Sequence, residues 1–182
     1  QKAYLHLSGD LSSAVTLAIM SSALELNNIE AILTPSQYTK SIEFSCAKAQ
    51  LSLIPVKHQL VNIDSITQEY NKTLNKTLNK TLNKTQENPI LQTESTPDTR
   101  QSPLTKSMIN KYITSQVSHH LLSIISQLEN TAIYSCCKDS IDNDRTTNLT
   151  RNLDQNTLIK LAEWINTQRL LIPNTIICIA LA

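Results

Sequence analysis

The sequence predicts an α/β fold: a three-layer, doubly wound parallel sheet, with a disordered insertion in the middle of the chain. Three observations predict it. Strand-like and helix-like apolar patterns alternate over residues 3–63. A loop of small polar residues, "LSGDLSS" (residues 7–13), joins the first strand pattern to the first helix pattern. A polar, repetitive stretch then separates this half from a second run of helix and strand patterns.

Taken in order, residues 3–7 read as a buried strand. Ser12 to Leu26 reads as a helix, with Val15, Ala18, Ile19 and Ser22–Ala23 on one face. Ile29 to Leu33 is a second strand, stopped by Thr34-Pro35. Ser41 to Leu53 is a second helix, with Ser41 as N-cap and Glu43 near its first turn. Leu60 to Ile63 reads as a third strand. A βαβαβ alternation calls for a parallel sheet with right-handed crossovers.

The pattern stops at Asp64. Residues 64–106 are polar and contain "NKTLNKTLNKTLNKT" (residues 71–85). A helix would line up Leu74, Leu78 and Leu82, but Asn and Thr are poor helix formers. The stretch reads as a disordered or loosely helical insertion. Its N-K-T triplets are formal glycosylation sequons, of little weight without a secretory signal. Residues 107–128 resume a long helical pattern through Ile109, Ile113, Val117, Leu121, Leu122, Ile125 and Leu128. Thr131 to Cys136 reads as a fourth strand, 138–152 as a polar loop, and Asn156 to Asn166 as a helix. Thr175 to Leu181 reads as a last strand. Residues 1–63 and 107–182 are thus expected to be two halves of one domain, split by 64–106.

Composition narrows the function classes. The chain has 182 residues, 40% hydrophobic, with a formal net charge of +1. No basic cluster interleaved with aromatics is present, which argues against a nucleic-acid partner. No apolar run approaches the roughly 18 residues that span a bilayer, and no signal peptide is visible. The chain starts at Gln1, directly on a strand pattern, as a segment of a longer protein would. Cys46, Cys136, Cys137 and Cys178 form no CxxC pair, and no His lies at zinc-finger spacing from them. They read as buried, reduced thiols of a cytoplasmic protein.

Gly9 is the only glycine, against a usual share of about 7%. Turns that need positive φ must then use Asn or Asp. At the end of a first parallel strand, free N–H groups and the positive end of a helix dipole favour an anion. Ser8, Gly9, Ser12 and Ser13 suit such a site, and equally suit an ordinary helix cap.

The wider sequence sharpens this. "LHLSGDLSSAVTLAI" resembles the pyrophosphate loop of the N-type ATP pyrophosphatases, S-G-G-x-D-S, which share the adenine-nucleotide alpha-hydrolase-like fold. Among them the continuation resembles NAD synthetase. "TPSQYTKSIEFSCA" is similar to that family's P-S-x-Y-[ST] segment and its S-x-E-D-A helix start, through Pro35, Ser36, Tyr38, Thr39, Ser41 and Glu43. "HLLSIISQLENTAIYSCCKDS" resembles the helix and strand that lead to S-T-G-N-K-S-E. "NLTRNLDQNTLIKLAEWIN" resembles D-L-x-K-T-x-V-x-x-L-A-x-W-x-N. The matches lie in order and cover most of the chain outside 64–106.

The resemblance implies an ATP-dependent amidation. The carboxylate of deamido-NAD attacks the α-phosphate of ATP, and ammonia then displaces AMP to give NAD. It implies ATP and Mg2+ as cofactors and Ser8, Gly9, Ser12, Ser13 and Ser36 as ATP or pyrophosphate contacts. It also implies a homodimer in the cytoplasm and, for a glutamine-dependent enzyme, a glutaminase domain in the parent chain.

The departures from the pattern fall on the chemistry. The second loop glycine is Asp10, whose carboxylate would repel a triphosphate. The aspartate that resembles a magnesium ligand is Ser12, a poor ligand for a hard cation. The later glutamate falls on Ile141; Asp10 and Asp139 are the remaining candidates for a metal. The phosphate-binding lysine falls on Gln155, and two substrate-contacting arginines fall near Gln116 and Ser118. A degenerate NAD synthetase-like domain of low or no activity is therefore expected. The alternative is a non-catalytic structural, dimerisation or nucleotide-binding domain.

Other residues favour plainer readings. His119 and His120 point about 100° apart on a helix, so they do not converge on one ion. His6 and His58 have no partner legible in the sequence. Asp139, Asp142 and Asp144 read as a solvated loop, and Trp164 as core packing.

Overall fold

The computed structural model describes residues 2–86, 106–134 and 146–181. Five parallel strands run in the order β3-β2-β1-β4-β5. These are β1 (Ala3–His6), β2 (Ile29–Leu33), β3 (Lys57–Leu60), β4 (Ala132–Tyr134) and β5 (Thr146–Thr147). The helices are α1 (Leu11–Ala23), α2 (Ser41–Leu53), α3 (Asp64–Gln86), α4 (Lys106–Glu129), α5 (Gln155–Gln168) and α6 (Asn174–Leu181). A single 3-10 turn, Leu26–Asn28, leads into β2. The expected three-layer, doubly wound parallel sheet is the fold observed.

Period-two alternation along the central strands assigns the layers. Ala3, Leu5, Leu7, Ile29, Ala31 and Leu33 pack with α1, α2, α5 and α6 in the main core. Tyr4, Ile32 and Ile133 point the other way, onto Leu122 of α4. A smaller cluster of Ile63, Ile113 and Val117 fixes α4 beside the end of the third strand segment. Both faces of the central strands are therefore covered, as an all-parallel sheet requires.

Several sequence expectations shift. β3 is three residues earlier than the predicted Leu60–Ile63. It is an edge strand exposed along its length, so Lys57, His58 and Gln59 carry no apolar signal, while Ile63 is buried in the loop after it. Thr175–Leu181 is not a strand but the helix α6. Its run of Ile and Cys suits either element by composition. Ile176 and Ile177 bury one helical face, and Cys178 is exposed, against the expectation of a buried thiol. Trp164 is also exposed, at 60%, not core. Ser41 is the first residue of α2 and does not cap it; Lys40 holds the cap position without a side-chain bond. Over 64–86 the insertion is helical, with its first turn anchored by buried Thr67 and a Glu69–Lys72 pair at 2.6 Å. Asn130, at φ 49°, supplies the positive-φ stop after α4 that the scarcity of glycine predicts.

The segment between α5 and α6 is held by one side chain. Asn166 Oδ1 accepts from the Leu171 and Ile172 amides at 3.2 and 3.0 Å, and its Nδ2 donates to the Ile172 carbonyl at 2.7 Å. Asn166→Ala orphans these groups beside the buried Leu171 and Ile172. The expected cost is about 2 kcal/mol. Thermal denaturation should show a fall in Tm of roughly 4–8 °C.

Candidate functional site

β1 and β2 end side by side, and the loops after them, Leu7–Asp10 and Thr34–Lys40, meet the first turn of α2. Gly9 sits at φ +87°, a conformation L side chains rarely adopt. A Cβ there would lie 1.9 Å from the Glu43 carbonyl oxygen. The chain's one glycine thus stands where two backbones approach too closely for any side chain.

The loop is knitted by its own polar groups. Asp10 Oδ1 caps α1, accepting from the Ser13 amide at 2.7 Å. The fully buried Ser13 hydroxyl accepts from the Gly9 amide at 3.2 Å and from Ser8 Oγ at 3.1 Å. It donates to the Asp10 carbonyl at 3.0 Å. Ser36 is likewise used within its turn: its amide donates to Thr39 Oγ1 at 3.0 Å and its hydroxyl accepts from the Tyr38 amide at 3.2 Å. Ser12 is half-buried, the second residue of α1; its carbonyl accepts from Thr16 Oγ1 at 2.8 Å.

A cavity of about 250 Å³ opens beside this loop, between the strand ends and α4. Of the sequence-predicted ATP or pyrophosphate contacts, Ser8 lines it, as does the metal candidate Asp10; Gly9, Ser12, Ser13 and Ser36 do not. Lys111, Glu43, Tyr38 and Phe44 are also on its wall. Asp139, and the 135–141 segment aligned with S-T-G-N-K-S-E, lie outside the described residues. Gln155, at the family's lysine position, donates to the Ala180 carbonyl at 3.3 Å and so ties α5 to α6.

Sequence reasoning missed His6. Its Nε2 lies 2.8 Å from Thr34 Oγ1, which lies 2.8 Å from Ser118 Oγ. Ser118 donates onward to the Thr114 carbonyl at 2.9 Å. All three links are satisfied when His6 Nε2 carries the proton and Thr34 donates to Ser118. Burial, and then the charge of nearby His119, push the His6 pKa from 6.5 down to about 4, against a smaller upward pull from Asp10. His6 is therefore a neutral hydrogen-bonding group at neutral pH. His119 is half-buried and His120 exposed, the boundary pair the helix geometry predicts.

Among the described residues no group of three or more His, Cys, Asp and Glu side chains could hold a metal ion. Asp10 is engaged as a cap, and Ser12 brings no charge.

A parallel α/β domain with a tight loop after β1 and a cavity at the strand ends belongs to the class that places ligands at the carboxyl ends of its strands. Within that class, the family model described as NAD synthase matches residues 1–93, and the chain belongs to this family. An NH(3)-dependent NAD(+) synthetase from Thermoplasma volcanium is 34% identical over 74 residues, which are 41% of this chain and 31% of that protein. The glutamine-dependent NAD+ synthetase of Acinetobacter baumannii, solved with ADP, has a similar fold. It superposes with a TM-score of 0.69 at 19% identity, over 97% of this chain and 31% of that one. The NH3-dependent NAD synthetase of Campylobacter jejuni, solved with a nitrate ion, gives a TM-score of 0.60 at 17% identity, over 94% and 66%. The chain thus spans about a third of the length of the relative and of the first of these structures.

Proposed function

We propose that this chain is an NAD synthetase-like, nucleotide-binding domain with low or no turnover. The family reaction is the ATP-dependent amidation of deamido-NAD. The observation that carries the loss of turnover is Asp10, whose carboxylate sits inside the loop that would hold the pyrophosphate. At about 4 Å and an effective dielectric of about 20, one like-charge pair costs about 4 kcal/mol, or roughly a thousandfold in rate. Ser12 and Gln155 add no compensating charge. Phosphoryl chemistry that depends on neutralising and positioning charge is then poorly supported.

The finer features belong to the same proposal. The domain acts in the cytoplasm, and among the described residues no helix is long and apolar enough to cross a membrane. Tyr112, Ile124 and Leu128 are exposed on α4, which supports pairing with a second copy. The likeness to a glutamine-dependent synthetase three times as long supports a parent chain that carries a glutaminase domain.

The test is direct. The folded chain, incubated with deamido-NAD, ATP, Mg2+ and ammonium, is expected to give no NAD above a protein-free blank by mass spectrometry. NAD formation with matching release of AMP would overturn the loss of turnover. Absence of product together with nucleotide-dependent thermal stabilisation would favour the binding-module form of the proposal over a purely structural one.

A further inference from the structure

The hydrogen bonds of the β1–α1 loop occupy the amides of Gly9 and Ser13 and the hydroxyl protons of Ser8 and Ser13. The Ser13 amide is taken by the Asp10 carboxylate and the Gly9 amide by Ser13 Oγ. The Ser8 proton goes to Ser13, and the Ser13 proton to the Asp10 carbonyl. A hydroxyl has one proton, so neither serine retains one for a phosphate oxygen. Asp10 therefore does in cis what a bound phosphate would do: it brings negative charge to the helix N-terminus and accepts from its amide.

The cavity beside the loop is different in kind. It is walled by Tyr38 and Phe44, by apolar Leu7 and Leu33, and by the uncharged chain His6–Thr34. Two aromatic walls and a neutral hydrogen-bonding edge suit a flat heteroaromatic ring. Its charged wall residues are the carboxylates of Asp10 and Glu43 and the ammonium of Lys111, and Glu43 already faces Lys40 at 3.8 Å. At about 250 Å³ it falls just below the roughly 300–1,000 Å³ of pockets that take drug-sized ligands. That is room for a nucleoside, not for a dinucleotide.

We propose that the cavity selects an unphosphorylated nucleoside over its phosphates, because Asp10 fills the phosphate cradle from within the chain. The proposal rests on the reading of this cavity as the domain's nucleotide pocket.

Isothermal titration of the whole chain with adenosine and with ATP tests it. Adenosine is expected to bind at least tenfold more tightly than ATP. Asp10→Gly empties the cradle while keeping a tolerated cap residue; it should tighten ATP at least tenfold. Asp10→Asn keeps the cap and removes the charge, and should give a smaller gain, so the test survives if Asp10→Gly does not fold. Ser115→Trp, which fills the cavity, should abolish adenosine binding. ATP bound by the unsubstituted chain as tightly as adenosine would overturn the proposal alone. Failure of both ligands to bind any folded variant would overturn the nucleotide-pocket reading with it.

Discussion

Gly9→Ala is expected to lower the melting temperature by roughly 10 °C or more, or to leave no cooperative transition. Two independent costs add. Holding a non-glycine residue at φ +87° costs on the order of 1–3 kcal/mol. The new Cβ also meets Glu43 O at 1.9 Å and Glu43 C at 2.7 Å. These are backbone atoms in the first turn of α2, so relief requires moving the helix itself. The main core contains residues of both α1 and α2, and shifting one against the other loosens packing at native density. A total of about 4 kcal/mol places this change among the rare severe ones. Removing the Glu43 side chain should not rescue it, because the clash is with main chain. A Gly9→Ala chain within about 1 kcal/mol of the parent in urea denaturation would refute the close approach.

Acidification should destabilise the chain through His6. In the unfolded chain His6 takes a proton near pH 6.5, whereas in the fold it resists until about 4. Between these values the unfolded state binds more protons, so stability falls as pH falls, and levels off below about 4. Each unit is worth about 1.36 kcal/mol, so the window is worth about 3 kcal/mol. Asp10 opposes the shift and His119 reinforces it, so His119 is itself a contributor to the acid response. The measurement is the urea midpoint at pH 7 and pH 4.5, for the chain and for His6→Gln, which keeps a donor for Thr34. The variant should lose most of the dependence between those pH values; an unchanged pH profile would show that His6 is not the group responsible.

The legible and illegible parts of this fold differ in physical kind. β2 and α2 are where the sequence predicts them, residue for residue: β2 is an apolar run stopped by Thr34-Pro35, and α2 begins at Ser41 even though that side chain does not cap it. β3 gives no such signal, since its position is decided by pairing Glu30–Leu33 with Lys57–Leu60 at an exposed sheet edge. α6 is hidden by its unbroken apolar run from Ile176 to Leu181, which fits a buried strand as well as a short helix. Within the site, Gly9 could be singled out from composition alone. The contacts of His6 with Thr34, and of Thr34 with Ser118, could not. They span 28 and 84 positions of sequence and exist only once β1, β2 and α4 have come together. At Asp10 the sequence signals repulsion of a ligand; its function as the cap of α1 is a matter of local geometry that the residue type permits but does not specify.

The placement of β1 at the middle of the sheet has a consequence for how the chain reaches its native state. One edge of β1 pairs with Ile29–Ile32, close by in sequence, and the other with Ala132–Tyr134. During synthesis the β1–β3 half can assemble early, while the second edge of its central strand waits for the arrival of β4. Lengthening the intervening excursion costs little in equilibrium free energy, only about 0.6 kcal/mol per doubling, so the NKTL repeats can be tolerated thermodynamically. The cost falls on time: non-local parallel pairing is slow, and an open apolar strand edge invites pairing with another nascent chain. The expected liability of this protein is therefore aggregation before β4 docks, with expression yield limited by folding speed more than by the stability of the finished domain.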